Sequence, residues 1–140
     1  LIPLEMPYMK PLKFDDFPYA DRSLNDNERG HLQVLQQISP KLFIQFLKDR
    51  GARTSCLSCG RPDLFIPHTV VHGTDPELDD YDDSNDWEYV TPIHKENEPI
   101  NIYNTRYEVS CSYCGFTSTY TAHTVVCWAR DKGYIVWEGI

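Results

Sequence analysis

The chain has 140 residues, of which 41% are hydrophobic and 13% aromatic, which predicts one domain with a single core and argues against a two-domain enzyme. Its formal net charge of -8 excludes a protein that coats nucleic acid over its whole surface, because phosphate binding requires a cationic face. No apolar run approaches the roughly 18 residues that span a bilayer, and prolines interrupt residues 1–10 where a signal peptide would be apolar. We therefore expect a cytoplasmic protein without membrane contact.

Proline and aromatic residues distinguish the beginning of the chain. Four prolines and four aromatic residues within 1–22 predict an extended N-terminal arm that lies on the surface of a single domain, 23–140. Asn25 and Glu28 then stand at the spacing of a capping box, ahead of an apolar repeat. A first helix is therefore expected over 26–37.

A second helix is predicted over 40–50. Ser39 followed by Pro40 is a typical helix start, since serine caps the first turn and proline fits its first position. Apolar residues then recur at i, i+1, i+4 and i+5 before Gly51 ends the pattern. This apolar stripe must pack on another element, and the strands that follow the first cysteine pair are the nearest in sequence.

Three segments rich in β-branched and aromatic residues predict strands. The first, 64–71, contains Pro67, which restricts it to a sheet edge or a bend. The other two, 100–110 and 115–121, lead into and out of the second cysteine pair. Two strands that meet at such a turn describe one arm of a zinc ribbon.

The C-terminal part of the chain is predicted to form a helix over 122–132. Val125 and Val126 share one face of this helix, and Gly133 follows at the position where helices commonly end. Residues 134–137 are expected to form a short strand or an aromatic clasp. Helices on either side of several strands predict an α+β fold.

Four of the five cysteines form two matched pairs. Each pair has the pattern Cys-x-x-Cys-Gly, in a first knuckle at 56–60 and a second knuckle at 111–115. A two-residue spacer lets one tight turn present both sulfurs to one ion, and Zn²⁺ binds four thiolates at about 2.3 Å. The sequence therefore predicts one structural Zn²⁺, with the ligands Cys56, Cys59, Cys111 and Cys114.

Two other interpretations of the cysteines fit less well. A disulfide framework is typical of an oxidising compartment and an even cysteine count, and this chain has five. A thioredoxin-like redox site requires one Cys-x-x-Cys pair after a strand in a βαβ unit, not two matched pairs.

Four further residues are candidate zinc ligands, namely His68, His72, His123 and Cys127. The gap between Cys59 and His68 is shorter than the roughly twelve residues of a Cys₂His₂ finger, and Pro67 disfavours a helix that would align the two nearest histidines. We expect ordinary histidines, and a buried apolar role for Cys127 in the last helix.

The 51 residues between Cys59 and Cys111 are far more than a ribbon hairpin requires, and residues 75–98 are defined here as the acidic insert. Its first part, 75–88, holds eight acidic residues in fourteen and no basic residue. It is a solvated loop, a cation site or a docking surface for a basic partner. An EF-hand is excluded because the loop lacks the required glycine.

Aromatic side chains among these carboxylates favour the docking surface. Tyr81, Trp87 and Tyr89 are residue types that anchor a partner rich in arginine and lysine. The residues predicted to bind this partner are Asp75, Glu77, Asp79, Asp80, Tyr81, Asp82, Asp83, Asp86, Trp87 and Glu88.

Basic residues concentrate around the second helix and the first knuckle. Possible nucleic-acid contacts are Lys41, Lys48, Arg50, Arg53 and Arg61. A simpler interpretation is that Lys48 and Arg50 complement the negative C-terminal end of the helix, where cations are favoured.

One enzymatic pattern is present in part. Zinc deaminases combine H-x-E with P-C-x-x-C, and the chain has His94 and Glu96 followed by the second knuckle. However, Ser110 occupies the place of the proline, and this arrangement would leave Cys56 and Cys59 without a partner. A zinc hydrolase or deaminase is therefore a distant alternative.

The two knuckles, the helix that precedes them and the strand and helix that follow them resemble the zinc-ribbon group, in particular small prophage-type ribbon proteins. The resemblance covers residues 39–133 and implies a zinc-ribbon core of antiparallel strands with one structural metal. The resemblance implies less about function, because zinc ribbons serve as nucleic-acid-binding modules, polymerase-binding modules and scaffolds.

The sequence thus predicts a non-enzymatic zinc-binding module that acts by binding another macromolecule. The preferred partner is a protein with a basic surface, docked through the acidic insert. The alternative is a nucleic-acid-binding zinc ribbon of the transcription-regulator type.

Overall fold

The computed structural model describes residues 24–71, 87–95 and 97–137, and its helices and antiparallel sheets confirm the α+β class. No helix of this described part is long and apolar enough to cross a membrane. In chain order the elements are α1 (Asp26–Leu35), α2 (Pro40–Asp49), β1 (Leu64–Phe65), β2 (His68–Val71), β3 (Trp87–Val90), β4 (Arg106–Cys111), β5 (Thr117–Thr121) and α3 (Ala122–Asp131).

The two N-terminal helices begin at the predicted caps. The Asn25 side chain accepts a hydrogen bond from the backbone N–H of Glu28 at 2.8 Å, and the Glu28 carboxylate accepts one from the N–H of Asn25 at 3.4 Å. Ser39 caps α2 by accepting from the N–H of Leu42 at 3.1 Å. The first helix is shorter than predicted because it already caps at Gln36.

Five strands form two separate antiparallel sheets within the described residues. β1, β4 and β5 form one sheet in that order, and β2 pairs with β3 in the other. The segment predicted as a strand over 64–71 is interrupted at Pro67, as expected, and its two parts, β1 and β2, belong to different sheets. Proline cannot donate to a ladder, which explains why the strand breaks there.

The end of the acidic insert is a strand and not a loop. β3 pairs with β2 in the register Val70 to Glu88 and His68 to Val90. Tyr89 is fully buried, so the prediction that it belongs to an exposed docking surface is wrong. The conformation of β3 is determined by its pairing with β2. The charge pattern of the sequence does not reveal this contact.

The core lies between the three helices and the three-stranded sheet. The ring of Phe43 on α2 lies 5.6 Å from that of Tyr107 on β4, and Phe46 lies 5.5 Å from Trp128 on α3. The buried hydroxyl of Tyr107 donates to the carbonyl of Leu35 at 3.1 Å, so the largest polar group of the core is hydrogen-bonded. Burial raises the pKa of this phenol.

The segment predicted as a strand over 100–110 is a strand only from Arg106 onward. Before it, the buried backbone N–H groups of Ile100 and Ile102 donate to side chains of α1. The acceptors are the carboxylate of Glu28, at 3.2 Å, and Nδ1 of His31, also at 3.2 Å. These contacts replace ladder bonds, so the backbone follows α1 and not a neighbouring strand.

The segment after α3 forms the aromatic clasp and no strand. Tyr134 is buried against Trp128, with ring centroids 5.5 Å apart, and its hydroxyl accepts a hydrogen bond from Gln45 at 3.0 Å. The Gln37 amide donates to the carbonyl of Val136 at 2.7 Å and accepts from its N–H at 2.9 Å. The clasp thus ties α3 to the first two helices.

Several predictions concern residues outside the described part of the chain. These are the N-terminal arm at 1–22, the ligand candidate His72, the residue Glu96 and the portion of the acidic insert from Asp75 to Asp86. They stay predictions.

Acidification should destabilise the fold through His31. Burial lowers the pKa of this histidine from its ordinary 6.5, because the imidazolium is disfavoured there, and Nδ1 must stay unprotonated to accept from Ile102. The unfolded chain takes up a proton below about pH 6.5 and the folded chain only at lower pH, so stability falls as pH drops through this window.

Thermal unfolding at a series of pH values tests this. His31→Asn keeps an acceptor near the position of Nδ1 and should flatten the profile, whereas His31→Leu should lose about 1–3 kcal/mol at neutral pH by leaving the Ile102 amide unsatisfied. His68→Asn, at an exposed histidine, should follow the unmodified protein. An unchanged acid-induced loss in His31→Asn would contradict the assignment.

Candidate metal centre

The structure brings the four predicted ligands together. The sulfur atoms of all four knuckle cysteines lie within 4.8 Å of one another. The Sγ atoms of Cys56 and Cys114 are 3.6 Å apart, and those of Cys59 and Cys111 are 3.8 Å apart. An ion bound tetrahedrally at about 2.3 Å from each sulfur sets the sulfurs about 3.8 Å apart. The cluster therefore fits one tetrahedral metal ion.

Each knuckle is a tight turn with the same backbone hydrogen bonds. In the first, the N–H of Cys56 donates to the carbonyl of Arg61, and the N–H of Gly60 donates to the carbonyl of Cys56, both at 2.9 Å. The second knuckle repeats the two bonds, also at 2.9 Å, at the corresponding positions. Gly60 and Gly115 have φ of 79° and 82°, a conformation that favours glycine, which explains the shared Cys-x-x-Cys-Gly pattern.

The strand β1 places the two knuckles side by side. It leaves the first knuckle and pairs with the end of β4, in a register that sets Leu64 opposite Cys111. The backbone N–H and the hydroxyl of Ser112 both donate to the carbonyl of Asp63, at 3.0 and 3.1 Å. Contacts outside the sulfur cluster therefore already align the second pair of cysteines with the first.

Backbone donors favour a thiolate at Cys56. The N–H groups of Cys59 and Ser58 point at its sulfur at 3.4 and 3.3 Å, and they lower the pKa of Cys56 to about 6 although desolvation opposes them. One thiolate then disfavours a second beside it. The pKa of Cys59 is raised to about 11: the Arg61 amide favours its thiolate, but desolvation and the hydrogen bonds of the neighbouring cysteines oppose it more.

Four ionised sulfurs at these distances require a cation, because like charges this close do not ionise together. The donor set is all sulfur, which suits a soft or borderline metal and not Mg²⁺ or Ca²⁺. Two of the four cysteines are buried and two are exposed, so the site lies at the protein surface and has access for an entering ion.

Arg61 links the two knuckles, a role that the sequence did not indicate. Its Nε donates to the carboxylate of Asp63 at 2.7 Å, and its guanidinium lies 4.1 Å from the ring centroid of Tyr113 in the second knuckle. Asp63 first, and then the charges of nearby cysteines, raise the pKa of Arg61. The prediction that Arg61 contacts nucleic acid therefore competes with an observed role beside the metal centre.

The other predicted ligand candidates lie elsewhere. Among the described residues only the four knuckle cysteines form a metal-binding cluster. The Nδ1 atom of His68 lies 2.9 Å from the carbonyl of Ile66, and its Nε2 lies 3.6 Å from Glu88. Nε2 of His123 lies 3.4 Å from the sulfur of Cys127, which is half-buried. Cys127, predicted to be a buried apolar residue of the last helix, is only half-buried there.

The two surfaces predicted to bind partners are only partly described. Within the acidic insert, Trp87 is half-buried with its ring centroid 5.3 Å from that of Tyr89, and Glu88 is exposed. The predicted basic residues are all exposed, and the side chains of four of them have no hydrogen bond or ion pair to any residue that the structure describes, namely Lys41, Lys48, Arg50 and Arg53.

No protein-family model, no curated protein and no solved structure matches this chain. The resemblance to prophage-type ribbon proteins consequently rests on the cysteine pattern, which the sulfur cluster supports only as a metal-binding arrangement.

Removing one knuckle cysteine should abolish metal binding. We expect about one metal ion per chain in the purified protein and almost none in Cys56→Ser, with a large loss of thermal stability, because the binding energy of a structural ion is largely folding energy. Cys127→Ala is the matched control and should keep the ion at a cost on the order of 1 kcal/mol. Metal analysis by mass spectrometry, together with thermal unfolding, distinguishes these outcomes. Release of the ion by Cys127→Ala and not by Cys56→Ser would refute the ligand set.

Proposed function

We propose that the protein is a non-enzymatic binding module whose fold is stabilised by one structural Zn²⁺. The observation that carries this proposal is the closed set of four cysteine sulfurs, spaced as the edges of one tetrahedron. A tetrahedral S₄ site is typical of zinc or of iron–sulfur chemistry. Zinc is preferred because a redox-inert ion suits a site whose ligands join two distant chain segments.

The ligand set also supports a structural and not a catalytic role for the ion. Catalytic zinc sites keep three protein ligands and leave the fourth position for water or substrate. Here the protein supplies all four positions. The deaminase interpretation gains no support either, since Nε2 of His94 lies 3.1 Å from the carbonyl of Glu98 and this histidine is not a member of the sulfur cluster.

The preferred activity is docking of a protein with a basic surface through the acidic insert, 75–98. Eight acidic residues in fourteen create a strong local negative field, which steers and orients a basic partner. At the end of this stretch, Glu88 is exposed on β3, and Trp87 beside it is only half-buried. Tyr89 is excluded from this surface because it is buried.

A nucleic-acid-binding ribbon is the second candidate. The exposed cations Lys41, Lys48, Arg50 and Arg53 favour it, because their side chains have no partner among the described residues and cations next to a zinc knuckle can neutralise phosphates. The overall charge of -8 opposes it. The two candidates depend on opposite charges in different parts of the chain, so one set of variants separates them.

Charge removal in the acidic insert should abolish binding of a basic partner. Replacing Asp79, Asp80, Asp82 and Asp83 by Asn should leave metal content and melting nearly unchanged, because exposed like charges contribute little to folding. Binding of a basic test protein such as a histone, measured by fluorescence titration, should weaken in this variant and in high salt. The matched control is Asp131→Asn, at a single exposed acidic position outside the insert.

Nucleic-acid binding predicts the opposite pattern. The four Asp→Asn changes would strengthen binding to labelled DNA or RNA, and Lys48→Ala with Arg50→Ala would weaken it and flatten its salt dependence. If the four changes leave every titration unaltered, the acidic insert is only a solvated loop and the proposed docking is wrong.

A further inference from the structure

An open apolar groove lies between α2 and β1. Its volume is about 590 Å³, and its apolar walls include Ile44 and Leu47 from the helix and Leu64 and Phe65 from the strand. Ile44 is 39% exposed and Phe65 is 50% exposed, although both are large hydrophobic residues at the same site. An exposed apolar depression of this kind is more often a binding surface than a surface feature without a function.

The groove has rigid sides and depends on the metal centre for one of them. Pro62 and Pro67 line it before and after β1, and both restrict the backbone. β1 leaves the first knuckle directly and pairs with β4 at Cys111. Consequently, whatever holds the two knuckles together also positions the strand side of the groove.

Lys48 lines the groove and gives its rim positive charge. Lys41 and Arg53 are the sequence neighbours of the lining residues Pro40 and Thr54. None of these three side chains has a hydrogen bond or ion pair to another described residue, and Arg50 behaves in the same way. On a chain with a net charge of -8, the groove therefore combines an apolar surface with a cation that has no partner among the described residues.

Nearby carboxylates are engaged in other contacts. Asp49 accepts a hydrogen bond from the indole of Trp128 at 2.7 Å and faces Lys132 at 4.0 Å. Asp63 is paired with Arg61. At the far end of the groove, His68 lies 3.6 Å from Glu88, which offsets any charge on that histidine. The free cations therefore have no described acidic partner within the chain.

We propose that this groove binds an acidic amphipathic segment of a partner protein, with apolar side chains in the groove and carboxylates on the basic rim. The proposal rests on the proposed function, because it names a second surface of the same binding module. The apolar walls favour a peptide over nucleic acid, because Phe65 is their only phenyl ring and the other apolar lining residues are aliphatic, whereas nucleic-acid binding relies on several base-stacking rings. The exposure of both walls favours side chains of a peptide over an enclosed small molecule.

Selection from a displayed library of random peptides on the full-length zinc-loaded protein tests the proposal. The enriched peptides should combine Leu, Ile or Phe with Asp or Glu, and a synthetic representative should bind in a fluorescence titration. The double variant Ile44→Ser and Phe65→Ser should weaken this binding by at least about tenfold. Phe116→Ser is the matched control, because Phe116 is 41% exposed and does not line the groove.

A charge reversal tests the rim separately. Lys48→Glu should weaken the acidic peptide by at least about tenfold and improve the binding of a version of the peptide with lysine in place of its acidic residues. Lys95→Glu, at an exposed lysine outside the groove, should change neither affinity. Enrichment of basic peptides, no enrichment at all, or equal binding to the groove variants would overturn the proposal. Competition with short single-stranded DNA or RNA gives one more outcome. If the nucleic acid displaces the peptide and Ile44→Ser does not change this displacement, the cations bind nucleic acid and the proposal is overturned as well.

Failure of this inference is distinguishable from failure of the proposed function. Metal content and melting are measured on every variant, so loss of the metal centre is detected independently of peptide binding. The Asp→Asn variant of the acidic insert should still bind the selected peptide, because the groove lies on α2 and β1. A metal-loaded, folded protein that binds no peptide contradicts only the groove.

Discussion

Four cysteine sulfurs within 4.8 Å of one another repel each other as they ionise, and a cation at their centre converts that repulsion into attraction. The 51 residues between Cys59 and Cys111 make this contact strongly non-local, so an ion bound here would close a long loop of a small domain. Three contacts lie around the sulfur cluster. They are the pairing of β1 with β4, the hydrogen bonds of Ser112 to Asp63 and the stacking of Arg61 over Tyr113. β4 connects the sulfur cluster to the apolar core between the helices and the three-stranded sheet.

Charge is divided between two parts of the chain that the metal centre connects. The acidic insert follows β2 in the sequence and includes β3. The cations without a described partner belong to α2 and to the segment between α2 and the first knuckle. A run of like charges in the sequence creates a local field of one sign, which attracts partners of the opposite charge. Under the proposed function, the two runs would select partners by charge, and the groove that Lys48 lines would add an apolar element to that selection.

Local signals in the sequence predicted all three helices of the described residues and the four cysteines that the structure brings together. Helix caps such as Ser39 and the Cys-x-x-Cys-Gly spacing act over a few residues, so they can be recognised in the sequence alone. Most of the misses depend on distant contacts. β3 exists because β2 pairs with it, and the backbone at Ile102 follows His31 of α1. How far Cys127 is buried likewise depends on packing that the sequence does not reveal. The role of Arg61 required knowledge that Tyr113 is its neighbour.

X-ray absorption at the zinc edge on the purified protein tests the central claim most directly, because it reports the identity, number and distance of the atoms that surround the ion. We predict four sulfur neighbours at about 2.3 Å and no nitrogen or oxygen neighbour. Fewer than four sulfurs, or a light-atom neighbour, would mean that the knuckles do not close one site. A protein without zinc, whose knuckle cysteines form disulfides, would contradict the account altogether.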